Sequence, residues 1–187
     1  MQPTYRRTAR HGSRLSALTR PLLVLLVTFW AGDALAQFTN NTIGFQAGYL
    51  GIANPIKVKS GPVLGLESTL YLESGFDLVF RVLGGVHKDR VTEKNAIGFF
   101  PSIGIRYLFS EEVLRPYFGL NLSYLQFFGA DSMPTTLRVA FTPALGFEYY
   151  FQSNTAFGLQ GEYQYVLDLN EDGGSAFAGV ARISWGF

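Results

Sequence analysis

The sequence predicts an all-β fold: eight antiparallel strands closing, up and down, into a transmembrane barrel behind a cleavable leader. Three observations predict it. From residue 37 onward, apolar residues recur at every second position in eight separate runs of strand length. Charged residues inside those runs keep to the opposite phase. The first 36 residues carry the marks of an export signal.

The leader is read from its flanks. Arg6, Arg7, Arg10, Arg14 and Arg20 make a basic start, and Leu22 to Trp30 is a short apolar run. Ala34-Leu35-Ala36 then offers a small-x-small cleavage site, leaving Gln37 as the expected first mature residue. The apolar run is about half of the ~20 residues that a spanning helix needs. The expected organisation is therefore a signal peptide over 1–36 and one barrel domain over 37–187.

Composition agrees. The 187 residues include 17 Phe, 10 Tyr and 21 Gly, a mixture suited to strands and tight turns. The formal charge of +1 belongs to the precursor; without residues 1–36 it becomes −3. No basic patch supports a nucleic-acid partner. With no Cys, a lipoprotein anchor, disulfide staples, thiolate metal sites and Cys nucleophiles are all excluded.

Each strand follows from alternation at period two, which puts one face against an apolar phase. Strand one, 42–53, sets Ile43, Phe45, Ala47 and Tyr49 against Gly44, Gln46 and Gly48. Strand two, 63–73, sets Leu64, Leu66, Leu70 and Leu72 against Glu67, Thr69 and Glu73. Strand three, 76–87, sets Phe76, Leu78, Phe80, Val82 and Val86 against Asp77, Arg81 and His87. Strand four, 96–109, sets Ile97, Phe99, Ile103, Ile105, Tyr107 and Phe109 against Ser102 and Arg106. Strand five, 116–128, sets Phe118, Leu120, Leu122, Tyr124 and Phe128 against Gly119, Asn121 and Ser123. Strand six, 137–151, sets Leu137, Val139, Phe141, Leu145, Phe147, Tyr149 and Phe151 against Arg138, Thr142 and Glu148. Strand seven, 156–167, sets Phe157, Leu159, Tyr163, Tyr165 and Leu167 against Gln160, Glu162 and Gln164. Strand eight, 176–187, sets Phe177, Ile183, Trp185 and Phe187 against Arg182 and Ser184.

The charges then test the assignment. Glu67, Glu73, Asp77, Arg81, Arg106, Arg138, Glu148, Glu162 and Arg182 all fall on the face opposite the apolar one. A Lys or Arg facing lipid at mid-depth costs about 2–4 kcal/mol, so a membrane barrel excludes it. The polar face is therefore the expected interior. A soluble barrel would reverse the two faces, and this much Phe and Leu outside would not stay in solution. Only a closed barrel also satisfies every backbone N–H and C=O in lipid.

Connections alternate in length. Those near 54–62, 88–95, 129–136 and 168–175 are the longer; those at Ser74-Gly75, Ser110 to Arg115 and Gln152 to Thr155 are the shorter. That asymmetry places the long connections outside and both termini in the periplasm. Pro101 and Pro143 fall inside strands and imply bulges or unbonded positions, because Pro cannot donate to a ladder.

An eight-stranded barrel is just wide enough to be filled by its own side chains. The nine charges nearly cancel, and buried charges must pair. The expected interior is a salt-bridged plug. Anchoring Leu167 opposite Phe177 puts Glu162 opposite Arg182; anchoring Val86 opposite Ile97 puts Asp77 opposite Arg106.

With these residues in view, the chain resembles the small eight-stranded outer-membrane family typified by OmpA and OmpX. Its most specific piece is the last strand, Val180 to Phe187, which alternates and ends on Phe. The resemblance implies that Ile183, Trp185 and Phe187 belong to the signal that the barrel-assembly machinery reads. It implies that machinery, periplasmic chaperones, outer-membrane lipid and lipopolysaccharide as partners, in a Gram-negative cell envelope. Against OmpA, the expectation here is a barrel with no peptidoglycan-binding domain and with connections shorter than in many relatives.

Function is read less directly. The leading expectation is a structural or accessory barrel, with a larger envelope complex as host; surface motility, secretion and polysaccharide export machinery are hosts suggested by the resemblance. The alternative is a narrow, porin-like channel for small hydrophobic or ionic solutes. A minor alternative is a lipid-modifying enzyme using His87, Asp131 and Ser132, although His87 reads as an ordinary residue beside a loop and no catalytic residue is assigned. One His in the mature chain makes a metal site unexpected, and no cofactor is expected.

Overall fold

The computed structural model describes residues 40–53, 56–130, 138–168 and 173–187. The leader, its cleavage site, Asp131, Ser132 and Leu137 lie outside the described residues. Eight strands run in chain order: β1 (Thr42–Ile52), β2 (Gly61–Glu73), β3 (Phe76–Lys88), β4 (Asn95–Leu108), β5 (Leu114–Phe128), β6 (Arg138–Gln152), β7 (Thr155–Asp168) and β8 (Gly174–Gly186). Each strand pairs antiparallel with its neighbours in sequence, and β1 with β8 closes the barrel. Every predicted strand is present.

Alternation dictates the faces as expected. Phe45, Leu64, Phe80, Ile97, Leu122, Leu145, Leu159 and Phe177 stand exposed around the outside. Gln46, Glu67, Arg81, Arg106, Asn121, Glu148, Glu162 and Arg182 are buried inside. Such an outer surface matches hydrocarbon; in water it would be one continuous sticky patch.

The registers give the geometry. The pairing that leaves β2 at Tyr71 passes Asp77, Arg106, Gly119, Ala144, Glu162, Ala178 and Leu50, and re-enters β2 at Gly61. The shear is therefore the ten residues from Gly61 to Tyr71. With strands about 4.8 Å apart and a rise of ~3.3 Å per residue, this implies a tilt of roughly 40° and a backbone radius of roughly 8 Å. Side chains from opposite walls therefore meet across the axis.

A two-residue hairpin joins β2 to β3 through Ser74 and Gly75, both with positive φ (53° and 82°). That matches a two-residue turn whose twist suits the flanking strands. The prolines do what their missing N–H demands. Around Pro101 the β4–β5 ladder lapses between Phe99↔Gln126 and Ser102↔Ser123; around Pro143 the β6–β7 ladder lapses between Phe141↔Tyr165 and Ala144↔Glu162. Neither lapse shifts the register, so both are unbonded positions and neither is a bulge. The bulges lie elsewhere, at Tyr71/Glu73 and Tyr150/Gln152, beside two of the short turns.

Candidate functional site

The barrel interior is where chemistry gathers, and it is built in two halves. The half nearer the short turns is polar. Arg106 on β4 donates through Nε to Asp77 on β3 (2.6 Å) and through Nη1 to Glu148 on β6 (2.8 Å). Arg182 on β8 lies 2.8 Å from the same Glu148 carboxylate and also pairs with Glu67 on β2. Gln46 donates to Glu67 (2.6 Å), and Arg182 donates to the Thr42 hydroxyl (2.7 Å). The Arg106 guanidinium lies over the Tyr117 ring, 4.8 Å from its centroid.

A second cluster adjoins the first. Arg81 on β3 pairs with Glu162 on β7, and its Nε donates to Ser102 (3.2 Å). Gln160 and Gln164 also donate to Glu162, and the Tyr117 hydroxyl donates to Gln160 (2.6 Å). Nearer the short turns, Arg115 donates to the Glu112 carbonyl (3.1 Å) and to Asn40 (2.9 Å), and stacks over Tyr150 at 4.3 Å. In the two clusters the charges of Glu67, Asp77, Arg81, Arg106, Glu148, Glu162 and Arg182 are paired between strands, as burial at low dielectric requires.

The half nearer the long connections is different. Leu50, Ile52, Val63, Leu83, Ala96, Phe100, Leu125, Phe127, Ala140 and Val166 point inward there and form one apolar cluster. The interior is thus a salt-bridged plug below and a hydrophobic plug above; the expectation from sequence covered the salt-bridged part alone. The reason is visible in the strand ends: residues such as Leu83, Phe100 and Phe127 occupy the inward phase, so both faces are apolar at that level.

Seven of the nine predicted interior charges meet in these two clusters: Glu67, Asp77, Arg81, Arg106, Glu148, Glu162 and Arg182. Arg138 is buried near the long connections, opposite Asp168 in register. Glu73 is a correction. It is exposed, because the Tyr71/Glu73 bulge inserts one residue and turns Glu73 to the face of its partner Phe76.

The two register expectations part company. Asp77 opposes Arg106 and Val86 opposes Ile97, as expected. Glu162 opposes Ala178 and Arg182 opposes Gly158, a second correction. Tyr163, not Leu167, faces Phe177, because the last hairpin closes tightly enough to pair Val166 with Gly174. A slip of even length keeps every side chain on its face, so alternation cannot detect it. Both residues still find counter-ions: Glu162 pairs with Arg81 across the barrel, and Arg182 pairs with Glu67 and Glu148, each one strand beyond its direct neighbours.

His87 also differs from its expected loop-side setting. It is buried, with its ring edge-on to Phe100 and Phe127 and its Nδ1 3.1 Å from the Lys59 carbonyl. Packed in this way it is a core side chain. Arg115 and Tyr117 were missed altogether. Extending the phase of Gly119 and Asn121 back by four residues would have found both.

Ile183 and Trp185 lie on the outward side of the closing seam, opposite Phe45 and Ile43 on β1. The Trp185 ring meets Phe45 edge-on at 6.1 Å, and the Phe187 amide donates to the Asn41 carbonyl.

Shear, strand number and inverted faces together decide the class. The chain has the fold of the small outer-membrane β-barrels. Neisserial surface protein A aligns with a TM-score of 0.61 at 13% identity, over 79% of this chain and 97% of that one. OprG of Pseudomonas aeruginosa aligns at 0.55 and 13%, over 81% and 99%. The N-terminal β-barrel domain of OprF from Pseudomonas aeruginosa aligns at 0.53 and 18%, over 79% and 99%. No family model matches the sequence, and no curated protein matches it. The likeness is one of outer-membrane barrel architecture, carried by strand pattern at low identity.

Proposed function

We propose that this chain is a closed, integral outer-membrane barrel with a structural or accessory role in an envelope assembly. The observation that carries the reading is the filled interior: shared ion pairs in one half and packed Leu, Val and Phe in the other. A permeation path would have to break buried charge pairs and displace the apolar plug as well. The apolar belt supports insertion into the outer membrane, beside lipid and lipopolysaccharide. The start of β1 and the end of β8 pair at the short-turn end, which in this reading faces the periplasm. The outward Ile183, Trp185 and Phe187 suit recognition by the assembly machinery during insertion.

Native co-purification from outer membranes in mild detergent, after crosslinking, tests the role. A stoichiometric envelope partner, with barrel stability lost when that partner is deleted, is the expected result. Recovery as a lone monomer that gives discrete conductance steps in planar bilayers would overturn it.

A further inference from the structure

The β1–β2 connection does more than join two strands. Ile56 and Val58 turn into the barrel mouth and join the apolar cluster of Leu50, Ile52, Val63 and Leu83; Val58 is completely buried. Residues 57–59 lie along the start of the β3–β4 connection. Val58 bridges Asp89, the Lys59 amide donates to the Lys88 carbonyl (2.7 Å), and the Arg90 amide donates to the Lys57 carbonyl (2.9 Å).

Two neighbouring side chains clamp this segment, and its own Ser60 hydroxyl accepts from the Ile52 amide (2.9 Å). Arg90 donates through Nε to the Val58 carbonyl (3.0 Å) and through Nη2 to the Ile52 carbonyl (2.7 Å), tying it to the end of β1. From within the barrel, His87 reaches the Lys59 carbonyl. The platform that presents Arg90 is itself fixed, since the buried Asp89 carboxylate accepts from the Val91 and Thr92 amides (2.8 and 3.0 Å). By contrast the Lys59–Glu93 pair is exposed and screened, so it holds little.

The balance of these forces is narrow. Burying two apolar side chains gains somewhat less than ordering a five-residue segment costs. Charge-assisted hydrogen bonds from one arginine to the Val58 and Ile52 carbonyls then tip the equilibrium towards docking. We infer that residues 56–60 form a liftable stopper over the apolar half of the barrel, with Arg90 as its latch. This goes beyond the reading of a closed barrel: it says which element closes one end and what holds it shut. Lifting the stopper exposes the upper plug to water and leaves the ion-paired half below it sealed.

The chain has no cysteine, so a single introduced thiol reports cleanly. Ala96→Cys places one in the apolar cluster, and Thr142→Cys places one in the wall at mid-barrel; both positions are fully buried. The probe is a small water-soluble maleimide, applied to the full chain folded in lipid vesicles. With Arg90→Ala added, labelling at position 96 is expected to rise at least tenfold while position 142 stays protected. No change at 96, or an equal rise at 142, would overturn the proposal. A second measurement needs no latch variant. In the unmodified protein the Lys59 and Arg90 amides should exchange with deuterium together, and faster than ladder amides such as Leu66. Exchange as slow as the ladder would also overturn it.

Discussion

At the scale of single residues, the interior charges differ sharply in what they hold. Arg106 touches Asp77 and Glu148 and lies 3.9 Å from Glu67, so its guanidinium serves three buried carboxylates, two of which it shares with Arg182. Arg106→Met should cost about 3–5 kcal/mol in equilibrium urea unfolding from lipid vesicles, since it strands buried charge. Glu73→Gln, on the exposed side of its bulge, should change stability by less than ~0.5 kcal/mol in the same assay. Arg81 and Glu162 form a separable pair. Removing both, as Arg81→Met with Glu162→Leu, should cost less than the two single changes added together, because each single change leaves the other charge unpaired. Simple additivity would show that the pair is not coupled. Glycines differ in the same way. A Cβ at Gly48 would sit 2.2 Å from the Gly179 carbonyl oxygen, whereas one at Gly161 meets nothing within 4 Å. Gly48→Ala should therefore destabilise the β1–β8 seam in urea, and Gly161→Ala should be close to neutral.

At the scale of strands, alternation carries more of the argument than any motif. It fixes which side chains face lipid, because a single-residue slip would turn Phe45 or Leu122 inward and Glu67 or Arg106 into hydrocarbon. It cannot fix even slips, which is why Glu162 opposes Ala178. It cannot foresee bulges, which is why Glu73 leaves the interior. The candidate site was legible as a set of charges but not as a set of pairs. Arg182 meets Glu67 over the intervening β1, and Arg81 meets Glu162 across the barrel, in a geometry set by a shear that no local pattern encodes. The apolar plug was legible in principle, since Phe100 and Phe127 stand in the inward phase. The prolines allow a test at this scale. Pro143→Val supplies an N–H in the lapse between β6 and β7. The added ladder bond, worth about 1 kcal/mol, is offset by the freedom regained in the unfolded chain, worth about 0.4–1 kcal/mol. Stability should therefore hardly move, and the new amide at position 143 should exchange as slowly as its ladder neighbours. Rapid exchange there would mean that the lapse is imposed by the barrel wall and not by the proline.

At the scale of the molecule, the ordinary arrangement of a folded protein is turned inside out. Charges fill the centre of one half, and the outer belt carries Phe, Leu, Ile and Tyr. The same belt that is intolerable in water favours residence in lipid, and its tolerance to charge must depend on depth. Leu122 lies at the middle of β5 and is exposed on the belt; Leu72 is equally exposed but lies at the end of β2, beside the Ser74-Gly75 turn. Leu122→Arg should cost about 2–4 kcal/mol in urea unfolding from lipid vesicles, and Leu72→Arg only about 0–1 kcal/mol, because its guanidinium reaches the interface. The contrast between the two positions isolates the bilayer. A general loss of packing would penalise both alike, and a barrel resting in detergent-like surroundings would penalise neither. If Leu122→Arg were tolerated as well as Leu72→Arg, the belt at that position would have to be covered by protein or water, and the barrel would not be exposed to lipid on its β5 side.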